Sequence, residues 1–132
     1  MIIVTSIFAS LLAAIYLKLT FNVINLRRKN KVPLGTGGFS ELEKAIRAHG
    51  NFSENVPIAL ILMGALELNG APWWLVAVFG STLTIGRVLH ALGIYQEPKR
   101  FVNRVRGMKF TLMTLMALIA SNLGLVILKF FS

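Results

Sequence analysis

The stretch Glu43-Lys44-Ala45-Ile46-Arg47-Ala48-His49-Gly50-Asn51-Phe52-Ser53-Glu54 places two acids, an arginine and an amide at spacings of four and seven residues. On a helix turning about 100° per residue, Glu43, Asn51 and Glu54 all fall within about 40° of Arg47. Opposite charges so spaced can form an ion-pair ladder that pins the helix to its neighbours. The same face can also hold a polar ligand that carries both signs of charge. Arg87 and His90, three residues apart, form a second cluster. Arg87 can pair with Glu54 or Glu43, or grip a ligand carboxylate in bidentate fashion. His90 alone fits a hydrogen-bonded structural residue as well as a base. Arg104 and Arg106 make a third group. A cation beside a thiol lowers its pKa and favours the thiolate. The chain has no cysteine, so any reactive sulfur must arrive with a substrate. Its two histidines have no spacing suited to a metal.

These groups sit in an unusual chain. Of 132 residues, 55% are hydrophobic and 14% charged, with 14 Lys+Arg against 5 Asp+Glu and a mean hydropathy of +0.70. Disordered chains are poor in apolar residues, which excludes disorder. A nucleic-acid-binding domain needs a soluble scaffold beneath its basic surface, which argues against that class. The composition is that of a membrane protein with its positive charge held outside the lipid.

Four segments are predicted as helices. The first, about 1–26, has Lys18 as its only charge, and a lysine near an interface can snorkel. It lacks a basic start and a small-residue cleavage site, so it reads as a retained helix rather than a signal peptide. The second, about 40–68, is apolar only over 56–66, too short to span alone when about 20 residues are needed. Its polar start must project beyond the lipid or face other helices, because such groups are costly in lipid. The third runs over about 72–94 and the fourth over about 108–131, with Lys109 and Lys129 near its ends. Asn69-Gly70-Ala71 reads as a tight hairpin. Loop 27–39 carries Arg27, Arg28, Lys29 and Lys31; loop 95–106 carries Lys99, Arg100, Arg104 and Arg106. The positive-inside rule makes both loops cytoplasmic and both termini face the other compartment. The expected fold is an all-α, integral membrane, four-helix up-down bundle forming a single domain.

The pattern Arg47-Ala48-His49-x-Asn51-x-x-Glu54-x-x-Pro57 resembles the signature of the MAPEG family, membrane-associated proteins in eicosanoid and glutathione metabolism. Gly86-Arg87-Val88-Leu89-His90 resembles the family's helix-three motif, and Arg104-Val105-Arg106-Gly107 falls where the family has an arginine before helix four. The likeness covers nearly the whole chain and is nearest to short bacterial inner-membrane members. It implies a homotrimer that binds glutathione between subunits near the cytoplasmic side. Characterised relatives are glutathione transferases, peroxidases, leukotriene C4 synthase and a prostaglandin E synthase. By position, the resemblance gives Arg47, Asn51, Glu54 and Arg87 to the glutathione backbone and its charged ends, with Arg27 or Arg28 contributing from helix one and His90 counted among the ligand-binding residues of helix three. It gives Arg104 the stabilisation of the thiolate, with Arg106 as competitor. Some relatives have tyrosine where this chain has Asn55, His90 and Ile94, and Tyr95 lies one position out of register. Part of the ligand grip is then missing or rebuilt.

The expected function is a glutathione transferase or peroxidase type of membrane enzyme. Glutathione acts as co-substrate, and a lipophilic small molecule arrives through the membrane lipid. Two alternatives stand beside it. A small multidrug-type transporter matches in size, but such exporters carry a glutamate in the first helix, where this chain has no acid. A family member that kept the trimer and lost the chemistry would act as a structural or lipid-binding protein.

Overall fold

A computed structural model describes every residue except Glu97, Arg100 and Ser132. Arg100, assigned above to the basic side, therefore lies outside the described residues. The described residues form four helices and no strand: α1 (Ile3–Asn30), α2 (Ser40–Leu68), α3 (Trp73–Tyr95) and α4 (Phe101–Phe131). α1, α3 and α4 are long and apolar enough to cross a membrane. α2 falls outside that class because its first half carries the polar stripe, although its helix is continuous through Pro57.

Two helix boundaries differ from those expected. α1 continues through Arg27, Arg28 and Lys29 to Asn30, where Lys31 takes a left-handed conformation (φ 54°) and closes the end. Its amide donates to the Arg28 carbonyl, and the Val32 amide to that of Arg27. Cations complement the negative end of a helix dipole, so the basic run prolongs the helix rather than ending it. α4 begins at Phe101, seven residues before Met108. Arg104 and Arg106 are thus helical residues. Charge drives a segment out of lipid without stopping it from being a helix.

The α2–α3 hairpin is as tight as its sequence requires. The Asn69, Gly70 and Ala71 amides turn back onto the Ala65, Glu67 and Leu66 carbonyls, and Gly70 supplies the positive φ of 84°. The core runs along the bundle axis through Leu12, Leu42, Met63, Leu66, Leu83 and Leu118. α1 lies against α2 and α3, and α4 lies against α2 and α3. The α3–α4 pairing is the most extensive. A Cβ on Gly107 would meet the backbone of His90 and the Gly86 carbonyl, and one on Gly93 would fall on the backbone of Arg104. Small residues permit such backbone proximity between membrane helices. This crossing sets the position of Arg104 relative to α3.

The first turn of α1 has no side-chain cap of its own. Glu67, from the end of α2, supplies one: its Oε1 and Oε2 accept the Val4 and Thr5 amides, each at 2.8 Å. Both carboxylate oxygens satisfy orphan donors at the positive end of a helix. Glu67→Ala is expected to cost about 0.5–2 kcal/mol, the usual range for a lost cap. Thermal unfolding should register the loss, and hydrogen exchange should accelerate at Val4 and Thr5.

Candidate functional site

The polar stripe predicted on α2 forms as a helical face. Glu43 and Arg47 make an ion pair one turn apart, Nε to Oε1 3.2 Å, with side chains 51% and 64% exposed. In the single chain this pair is therefore exposed and does not pin α2 to a neighbouring helix. An exposed pair one turn apart contributes only about 0.3–0.5 kcal/mol. Arg47→Ala should accordingly leave the subunit's melting temperature nearly unchanged. Its expected defect is in binding an anionic ligand, to be read by calorimetry on the same sample.

Arg87 differs from Arg47 in every respect. It is 1% exposed. Its Nη1 donates to Asn51 Oδ1 at 2.8 Å and to the Asn51 carbonyl at 3.2 Å. Nε and Nη2 are buried and have no hydrogen-bond partner among the described residues. Sequence offered Glu54 or Glu43 as its counter-charge. In the structure Arg87 bonds to the neutral Asn51 instead, and Glu43 is engaged with Arg47. Asn51 thus links the α2 stripe to α3. Removing a cation from water is expensive unless it is paired, so two unsatisfied guanidinium nitrogens mark a place where an anion would be stabilised.

Beside this pair lies a cleft of about 300 Å³, lined by Arg47, Gly50, Asn51 and Glu54 from α2, His90 and Ile94 from α3, and Arg104 from α4. His90 is buried at 5% exposure, and Glu54 stands exposed. The extension of α4 to Phe101 separates the two competing arginines. Two residues turn a helix by about 200°, so Arg104 and Arg106 face opposite ways. Arg104 lines the cleft, and Arg106 is exposed. Gly50 was missed in the sequence, although it lies one turn from Arg47 on the same face. A smooth helical position there leaves the cleft floor open, with no atom near where its Cβ would be.

Arg27 is not brought to the cleft. Its Nη1 donates to the Gly35 carbonyl at 2.9 Å and the Val32 carbonyl at 3.3 Å, holding the following loop against the end of α1. Arg28 is exposed at the same end. Tyr95 also points elsewhere: its hydroxyl accepts a hydrogen bond from Asn22 Nδ2 of α1 at 2.8 Å. The positions that face the cleft from the end of α3 are His90 and Ile94. Among the described residues no group of three or more His, Cys, Asp or Glu is placed to hold a metal ion.

The arrangement joins Arg47 of α2, Arg104 of α4, an acid and an amide around one open space, with Arg87 of α3 buried behind Asn51 and not itself part of the lining. It suits a small ligand with carboxylates and an amine. Comparison with known proteins agrees with the layout. The chain matches the model of the MAPEG family over residues 5–124. It is 41% identical over 120 residues to the inner membrane protein YecN of Escherichia coli K12, covering 91% of this chain and 90% of that one. The inner membrane protein YecN of Escherichia coli O6:H1 matches to the same extent. With its four helices, its α2 signature and a match along nine-tenths of its length, the chain is a membrane protein belonging to the MAPEG family.

Proposed function

We propose that this protein is a glutathione-dependent enzyme of the transferase type in a bacterial inner membrane, assembled as a homotrimer with all four helices in up-down order. The carrying observation is Arg87, a buried guanidinium with Nε and Nη2 unsatisfied and Nη1 held by Asn51. Glutathione offers two carboxylates, an amine and a thiol. Arg87 and Arg47 take the carboxylates, Glu54 takes the ammonium, and Asn51 orients the peptide. Arg104, across the cleft on α4, faces the sulfur and favours its thiolate. The thiolate attacks a lipophilic electrophile that enters from the bilayer. A carbon–sulfur bond forms, the leaving group departs with the electron pair, and the thiol proton passes to solvent. Positioning and thiolate stabilisation lower the barrier.

The basic end of α1 and the start of α4 support a cytoplasmic side for this cleft by the positive-inside rule. Exposed Trp73 and Trp74 at the start of α3 fit the opposite interface, where tryptophan is enriched. Purified protein should conjugate glutathione to a chlorinated nitroaromatic and bind glutathione by calorimetry. Absence of both overturns the proposal. Arg104→Ala should leave the trimer intact and diminish the ultraviolet thiolate band of bound glutathione. An unchanged band removes the role from Arg104.

A further inference from the structure

A second concavity lies on the other side of α3, away from the cleft. It is a groove of about 560 Å³ between α1 and α3, within the range of ligand pockets. Its two walls are read at helical spacing, from Ile15 to Asn25 on α1 and from Val88 to Tyr95 on α3. The lining changes character along its length. Ile15, Leu19, Val88 and Leu92 make one end apolar, while Asn22, Asn25 and Tyr95 make the other polar. α1 and α3 run parallel, as Phe8 against Gly80 and Asn22 bonded to Tyr95 show, so the polar end lies toward the basic end of the molecule, where α1 finishes in Arg27, Arg28 and Lys29.

Lys18 lies between these two ends and is the one cation of the lining among the described residues. It sits about 22 Å along α1 from Ile3 at 1.5 Å per residue. That depth falls inside a hydrocarbon core of about 30 Å, from which a lysine reaches the nearer, basic-side interface by snorkelling. Among the described residues no acid lines the groove. The chain's five acids are Glu41, Glu43, Glu54, Glu67 and Glu97, none of them on α1, α3 or α4. The Tyr95 hydroxyl accepts from Asn22, and its own proton has no recorded acceptor among the described residues. The groove therefore presents an ammonium and a hydroxyl donor at its interfacial end and hydrocarbon below.

We propose that the groove between α1 and α3 binds an anionic phospholipid, its phosphate held by Lys18 and Tyr95 and an acyl chain lying along Ile15, Leu19 and Leu92. Polarity graded along the membrane normal matches a lipid molecule, whose head and tail are ordered in the same direction. Charge complementarity selects the anionic class. A second copy of the chain is a poorer occupant, because the strongly apolar helices α1, α3 and α4 carry no carboxylate to meet Lys18. Of the α2 acids, Glu41, Glu43 and Glu67 lie near the helix ends and Glu54 lines the cleft. This site is independent of the glutathione cleft.

The full chain, purified in detergent and exposed to equimolar phosphatidylglycerol and phosphatidylcholine, tests this by native mass spectrometry. Wild type should retain the anionic lipid at least about fivefold over the zwitterionic one. Lys18→Gln should bring that ratio near unity, and Leu92→Trp, which fills the groove, should remove retained lipid while the helical circular dichroism stays unchanged. Equal retention of both lipids by wild type overturns the proposal, as does an unaltered ratio in Lys18→Gln. A photoreactive side chain at Val88 should label lipid; capture of a second copy there also overturns it.

Discussion

Gly107→Val is expected to prevent stable folding, while Gly124→Val on the same helix leaves the protein intact. At Gly107 an added Cβ meets the His90 amide and Cα and the Gly86 carbonyl, all backbone atoms of α3. Backbone cannot rotate aside as a flexible side chain can, so the two helices must separate. Their pairing is the most extensive in the bundle, and overpacking a well-filled site costs about 1–3 kcal/mol, more when the clash is with backbone that cannot give way. At Gly124 nothing lies within 4 Å of the corresponding Cβ. Unfolding in mixed detergent micelles should show a large loss for the first variant and little change for the second. Equal behaviour of the two would mean that α3 and α4 do not cross at Gly107. The same contact explains why the crossing matters for chemistry. Arg104 lies one turn before Gly107, and Gly93 lets its backbone approach α3. Any substitution that widens the crossing withdraws Arg104 from the cleft.

The sequence shows this crossing only dimly. Glycine in an apolar helix is common, and nothing local says which glycine meets a neighbour's backbone. What was legible came from period and composition. The α2 stripe follows from the spacing of Glu43, Arg47, Asn51 and Glu54, and the structure keeps Arg47, Asn51 and Glu54 on one cleft. The turn at Gly70 follows from its neighbours. The ends of α1 and α4 were misplaced because apolarity reports where lipid lies, whereas Arg27–Lys29 and Phe101–Gly107 continue as helix beyond the apolar stretch.

Long-range polar contacts were not legible at all. Glu67 caps a helix start more than sixty residues away, and no motif near either partner announces it. Arg27 has the right position for a ligand contact by resemblance, yet it clamps the Val32 and Gly35 carbonyls of its own loop. A guanidinium carries five donors, and its sequence position does not say whether backbone or ligand will satisfy them. The same uncertainty applied to Arg87, for which two acids were in helical reach and an amide was chosen instead.

That choice leads to the second large effect: Arg87→Met should raise or preserve the stability of the ligand-free protein and abolish its response to glutathione. In the free protein the guanidinium is 1% exposed, and among the described residues its hydrogen bonds go to the neutral Asn51. Replacing a buried charge by an apolar side chain of similar length is often neutral or stabilising. Methionine also adapts well to irregular packing. In the complex the balance reverses, because a buried charged hydrogen bond lost from one partner costs about 2–5 kcal/mol. At about 1.4 kcal/mol per tenfold, the affinity should fall by about 30-fold or more. Thermal unfolding with and without glutathione reads both quantities on one sample. Wild type should melt higher when glutathione is added, because a ligand that binds only the folded state stabilises it. Arg87→Met should melt no lower than wild type without ligand and show no rise with it. A variant that melts lower and still responds to glutathione would make Arg87 a structural cation and move the anion site elsewhere. Opposite signs in the two measurements distinguish a ligand-binding arginine from one that merely holds α2 to α3.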